Sequence, residues 1–213
     1  MPFITDRDLL MFEPTLCRDA GWVAATLARG TCTLSSGDLS IAGVDPGSRG
    51  IVAGQLVVVT AETYEITAVP GGGTAGGSIS VSLPRPSDSG APIPPADATG
   101  LAQVLTFARH IEAAHEIILQ QLGIAGMTAA DLLHESRITR TANIKLVEAC
   151  VALELIFAAA AGASGPASAA RQRSEFYSRR ASALAAIAAV EYTGGPVGTR
   201  IRLTTASRQL LRG

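Results

Sequence analysis

The chain has 213 residues, a net charge of -1, and a composition in which 47% of residues are hydrophobic but only 4% aromatic. That length allows one large domain or two small ones with ample core, and so balanced a charge excludes general affinity for nucleic acid or an anionic membrane. A core so poor in aromatics must be built from Ala, Leu, Ile and Val, which suits closely packed helices better than a large aromatic pocket.

The opening MPFITDRDLL places acidic residues where a signal peptide carries a basic region before an apolar run, so no secretion is expected. Thr5 with Asp8 three residues later reads as a helix N-cap followed by acid in the first turn, opening a short helix through Phe12. Pro14 lacks a backbone donor and is expected to start a second helix running to about Ala28, with Leu16, Ala20, Val23 and Leu27 on its apolar face. From Thr31 to Leu83 the composition turns to Thr, Ser, Val and Ile with frequent Gly. Strands are predicted at 31–35, 38–43, 55–60, 63–69 and 78–83, with tight turns at Ser36-Gly37 and Ala61-Glu62. They make a small, mostly antiparallel sheet or barrel.

The stretch VPGGGTAGGS matches G-x-G-x-x-G at Gly71, Gly73 and Gly76. A dinucleotide site needs a helix after those glycines, whereas Ser78 to Leu83 alternates as a strand. A Walker-type loop fails as well, because Ser78 and Ile79 follow where a Lys should reach the phosphates. The glycines therefore read as a hairpin tip, and no cofactor is expected.

Pro84, Pro86, Pro92, Pro94 and Pro95 mark an extended linker. Helical periodicity is then predicted from Leu101 through Leu122, with Val104, Leu105, Ala108, Ile111, His115 and Ile118 largely on one face and Gly123 as the stop. A short helix from Thr128 through Ser136 follows. The next is capped at Thr141 or Asn143, where Leu146, Cys150, Leu153 and Phe157 form a stripe that Val147, Val151 and Ile156 widen, so it must be covered on more than one side. Its most apolar part, Leu146 to Ala161, carries Glu148 and Glu154 and falls short of the roughly 20 residues a bilayer needs. Pro166 opens a last helix to about Tyr192, where Phe176, Tyr177, Ala181, Leu184, Ile187 and Ala188 can pack and Arg171, Arg173, Arg179 and Arg180 mark an exposed or intersubunit side.

Catalytic constellations are absent from these patterns. His110 and His115 are five residues apart, roughly 140° around a helix, whereas a zinc-binding pair needs a spacing of four. A partly buried His115, a surface His110 and a helix-end His134 are expected, with no metal site. Cys17, Cys32 and Cys150 lie far apart with no base signature around them and read as reduced, buried thiols. Asp6 with Asp8, and Glu112 with Glu116, are accounted for as helix-start and exposed-face residues. The tail GTRIRLTTASRQLLRG is basic without any acid, and Thr199 to Thr204 alternates as a strand suited to another chain's sheet edge or groove.

The expected fold is α+β and mainly α, a helical bundle with an inserted small antiparallel β module and an extended C-terminal tail. The divisions are N-terminal helices 1–30, β module 31–84, linker 85–99, helical bundle 100–193 and tail 194–213. This layout, with Phe3-Ile4-Thr5-Asp6-Arg7-Asp8-Leu9-Leu10 at its start, the Glu13-Pro14 break and the arginine-bearing tail, resembles the head-to-tail adaptor (connector) proteins of tailed bacteriophages and phage-derived gene transfer agents.

The resemblance implies a non-enzymatic virion protein of the neck, made in the host bacterial cytoplasm, that forms a dodecameric ring on the portal protein and holds the next tail component. Residues 5–28 and 101–192 would make the ring wall. Portal binding would fall to Arg200, Ile201, Arg202, Leu203, Arg208, Leu210, Leu211 and Arg212, the arginines seeking carboxylates and the aliphatics filling grooves. A tail terminator, stopper or other neck protein would meet the far face, and a capsid or accessory fibre protein the β module. Double-stranded DNA would be passing cargo only, and a slightly acidic chain is acceptable around a channel that must let it slide, with no membrane involved. The alternative is a helical regulatory or binding protein, outside any virus, whose β module takes a ligand or partner.

Overall fold

Residues Ala25–Ser35 form one long strand, β1, and its register explains most of the first half of the chain. It hairpins onto β2 (Asp38–Ile41) on one side and takes a distant strand, β6 (Ala98–Thr106), on the other. Between them, β3 (Leu56–Val59), β4 (Glu62–Ala68) and β5 (Ser78–Ser82) complete a closed antiparallel barrel in the order β1-β2-β5-β4-β3-β6. The computed structural model describes residues 1–69, 77–83, 93–128, 134–138, 142–164, 168–191 and 200–202. They divide into two units, Thr5–Ala108, and Met1–Ile4 with Arg109–Gly213.

In the first unit, inward positions alternate with outward ones, as a half-buried strand requires. Cys32, Leu34, Leu39, Ile41, Val57, Val59, Tyr64, Ile66, Ile79, Val81, Ala102 and Val104 fill the interior, so the barrel is a packed core. Two tight turns use left-handed backbone. Ser36 and Gly37 (φ 52° and 87°) join β1 to β2, and Thr60 and Ala61 (φ 49° and 76°) join β3 to β4, one residue earlier than the predicted Ala61-Glu62. Left-handed φ at both central positions matches the right-handed twist of the strands they connect.

Two short helices, α1 (Asp6–Leu10) and α2 (Leu16–Ala20), sit where β6 ends and β3 begins. The Asp8 carboxylate accepts from the Thr5 N–H at 2.7 Å, the predicted start. Leu9, Leu10, Leu16 and Ala20 are buried, Arg7 N–H donates to the Gly54 carbonyl, and Gly54, itself at φ 89°, abuts Thr5.

The second unit holds α3 (Ala108–Leu122), α4 (Ala142–Ser164), α5 (Ala169–Ile187) and a two-stranded antiparallel sheet of β7 (Ala189–Glu191) and β8 (Arg200–Arg202). A single 3-10 turn, Glu135–Arg137, stands where part of the predicted 128–136 helix was expected. α4 packs along α5. Ile144, Val147, Cys150, Val151, Leu153, Ile156 and Phe157 are all buried, while Leu146 from the predicted stripe is 40% exposed. The stretch Asn143–Ala163 does have the length and apolarity of a membrane span, contrary to the shorter segment read from sequence. More than half of it is buried inside the protein, at 56%.

The expected helical bundle with a small β insertion is thus not the architecture. Among the described residues the chain has a closed six-stranded barrel and five α-helices. Two misread segments account for the change. The second helix stops at Ala20, a 3-10 turn covers Gly21–Val23, and Ala25 onward is β1. The helix predicted from Leu101 begins only at Ala108, because 98–106 is the strand that closes the barrel. Leu101, Val104 and Leu105 fit a 3.6-residue period, but Leu101 faces out at 58% exposure while its neighbour Ala102 is buried. Without β6, both β1 and β3 would present unpaired edges, and edge closure outweighs local helical spacing. Among the linker residues, Ala98 and Thr99 belong to β6.

Candidate functional site

β8 contains the first three residues of the predicted portal-binding set, Arg200, Ile201 and Arg202. Leu203, Arg208, Leu210, Leu211 and Arg212 lie outside the described residues. Instead of an extended tail awaiting another chain's sheet, 200–202 returns onto its own chain, with Ala189 opposite Arg202, Val190 opposite Ile201 and Glu191 opposite Arg200. β7 lies against α4 and β8 against α5, so the small sheet is anchored at the end of the last helix.

A second feature of this unit is an ionic cluster in which His115 of α3 and Glu148 of α4 are buried and Glu135 of the 3-10 turn is half-buried. His115 Nδ1 lies 2.8 Å from Glu148 Oε1 and its Nε2 2.8 Å from Glu135 Oε2. The other Glu148 oxygen accepts the Phe3 N–H at 2.9 Å, and the Phe3 ring stands edge-on to His115 at 4.9 Å. Glu148 has no solvent exposure. Burial alone would lower the His115 pKa, but the carboxylates of Glu148 and Glu135 outweigh it and raise the value. Burial would push Glu135 up, yet the Met1 ammonium and His115 hold it below the usual range. Glu148 is raised, because desolvation exceeds what His115 and the Phe3 N–H return. When protonated, the imidazole donates from both ring nitrogens, and the cluster ties Met1 and Phe3 to α3, α4 and the Glu135 turn.

His110 is half-buried and lowered in pKa by burial, and His134 sits at the start of the 3-10 turn, its Nδ1 accepting the Ser136 N–H. His115 is more deeply buried than the sequence implied. Among the described residues no group of three or more His, Cys, Asp and Glu side chains is arranged to hold a metal. Cys17, Cys32 and Cys150 are free thiols, Cys17 half-buried and raised to about 11 by burial. Gly71, Gly73 and Gly76 fall outside the described residues, but β4 and β5 on either side pair antiparallel, as a hairpin requires.

Asp6 stands in the first turn of α1, as expected, and has a further role. It is buried, accepts the Phe107 N–H at 2.7 Å, and burial raises its pKa to about 6 against the hydrogen bonds from Thr106 and Phe107. The Arg7 and Glu65 side chains meet at 3.1 Å nearby. The same unit has an open cleft of about 400 Å³ whose wall includes Pro14, Arg18, Glu62 and Thr63. Sequence reading missed both Asp6 and Glu148 as buried partners. The signal available at Glu148 was a carboxylate set within the apolar stripe of α4, between Val147 and Val151, which burial obliges to find a donor.

Glu112 and Glu116 are exposed on α3, as predicted. On α5, Arg171, Arg179 and Arg180 are exposed and Tyr177 and Ala181 buried, but Phe176 and Ile187, expected to pack, are 50% and 77% exposed. No known protein family, curated protein or solved structure matches the chain.

Proposed function

We propose that the chain is a structural subunit of a phage-type head-tail junction, an adaptor that assembles as a ring and docks on a portal through its C-terminal segment. The observation that carries this reading is the β7–β8 sheet. Two strands of three residues are marginal in water on their own, and among the described residues no third strand covers either outer edge. Such an edge is completed by a partner strand or by burial against one. The sequence that follows, with Leu203, Arg208, Leu210, Leu211 and Arg212, offers the mixed basic and apolar side chains that a carboxylate-lined groove binds.

The alternative, a monomeric binding protein, is favoured by one observation, the cleft beside Pro14, Arg18 and Glu62. Any ligand of the barrel unit belongs there or on the loops, since side chains fill the interior.

Mass determination in solution, alone and mixed with portal rings, separates the two. The adaptor reading expects a ring, either free or formed on the portal; a monomer indifferent to the portal overturns it. Truncation after Gly195 removes β8 and the tail and is expected to abolish portal docking while leaving the helical circular dichroism unchanged. Docking retained by the truncated chain would remove the tail from the interface.

A further inference from the structure

Phe176 and Ile187 are the large apolar residues that α5 leaves exposed, and a separation of eleven residues puts them within about 20° of one line along the helix, roughly 16 Å apart. Between them the same side of α5 carries Arg179, Arg180 and Ala183, all exposed. The helix has four arginines to one glutamate. α3 presents the reverse. Its exposed side carries two acids to one base, Glu112 and Glu116 one turn apart beside the small Ala113, with Arg109 one turn before them, while Ile111, Ala114, His115 and Ile118 face inward. Both faces are exposed within one copy, so neither is covered by the other.

We infer that these two faces are halves of one interface between copies of this chain, α5 of one copy seated on α3 of the next. This rests on the ring reading above and names the surfaces that would build the ring. Arg179 and Arg180 meet Glu112 and Glu116, where planar guanidinium groups can bind carboxylates in bidentate fashion. Ala113 leaves a shallow place between the two carboxylates for an apolar side chain from the Phe176 to Ile187 line. Because two different patches meet, the contact is heterologous. Each added copy leaves one patch of each kind unoccupied, and growth ends only when the rotation closes a ring. A self-complementary patch would stop at a dimer instead.

Cysteine cross-linking of full-length chains tests this. Ala113→Cys and Ala183→Cys are made separately, mixed in equal amounts and mildly oxidised, with the unsubstituted chain as control for Cys17. The expected result is a covalent dimer in the mixture and little in either variant alone; the double variant gives a ladder ending at one closed species. Adding Arg179→Glu and Arg180→Glu should reduce the ladder roughly tenfold or more, since like charges then face each other, and further Glu112→Arg and Glu116→Arg should restore it. Restoration excludes misfolding as the cause of the loss. No mixed dimer, equal cross-linking of either variant with itself, or a ladder indifferent to charge reversal overturns the inference. A ring found by mass without this ladder overturns the interface alone, whereas no assembly by either method, with portal present, overturns the ring reading as well.

Discussion

Asp6 shows how a single side chain can serve two purposes that conflict. Its carboxylate accepts the Phe107 N–H just beyond the end of β6, yet its burial raises its pKa from 3.8 to about 6. A folded-state pKa above the unfolded one means that stability is fully present below about pH 4 and is lost as pH rises through 6. The shift corresponds to a loss on the order of 2 to 3 kcal/mol. Asp6→Asn keeps an acceptor for Phe107 without the ionisation, so its unfolding free energy should be flatter from pH 4 to 7 than that of the unsubstituted chain. Urea titrations across that range check this, and equal slopes would assign the pH dependence elsewhere. His115 acts in the same direction. Its raised pKa contributes stability below 6.5 that fades as pH rises through the folded value, whereas the lowered pKa of Glu135 contributes above 4.5 and is lost as pH falls. The helical unit should therefore be most stable in mildly acidic solution. His115→Ala strands Glu148, which has no exposure, and should cost about 3 to 5 kcal/mol; Glu148→Gln with His115→Gln, which strands no charge, should cost less. Denaturant unfolding followed by helical circular dichroism compares the two.

At the scale of elements, hairpins were legible where turn chemistry and alternation agreed. β4 and β5 were predicted to within a residue or so, because Thr-Tyr-Glu-Ile-Thr and Ser-Ile-Ser-Val-Ser each alternate and a glycine-rich break separates them. The β3–β4 turn is less well matched to its sequence, since Thr60 and Ala61 occupy left-handed backbone at φ 49° and 76°. Thr60→Asn with Ala61→Gly supplies the residues such a turn prefers and should stabilise the barrel by about 1 kcal/mol. Thermal unfolding measures it, and a lower melting temperature would mean that the Thr60 side chain, in contact range of Gly100, contributes more than the turn costs. The first part of β1, Ala25 to Gly30, and most of β6 were misread for the same reason, whereas 31–35 was correctly read as a strand. Ala, Leu and Val at mixed spacings satisfy both periods, and only the partner strand decides between them.

Across the whole molecule, the division falls at Ala108, with residues 1–4 belonging to the second unit. A fragment of residues 5–108 contains every strand of the barrel and both covering helices, and it should fold alone with a cooperative transition and a β-rich spectrum. Removal of 31–83, by contrast, leaves β6 paired only with Ala25 to Gly30 of β1 and open along the edge that β3 covered, and that chain should aggregate. Light scattering and circular dichroism of the two shortened chains distinguish these outcomes; a soluble, folded chain lacking 31–83 would show that the opened edge of β6 does not drive aggregation.

By itself the sequence determined the segments whose local chemistry has one reading: the Thr5 and Asp8 helix start, the hairpin flanking the glycine loop, the apolar α4 and the arginine side of α5. Each depends on neighbours within a turn or a strand length. Tertiary structure alone decided that 98–106 is a strand, that the barrel closes, that Asp6 and Glu148 are buried acceptors, and that Phe176 and Ile187 face outward. Those outcomes depend on partners as far as 145 residues away, as between Phe3 and Glu148, and a periodicity within one segment carries no information about which distant edge or donor will meet it.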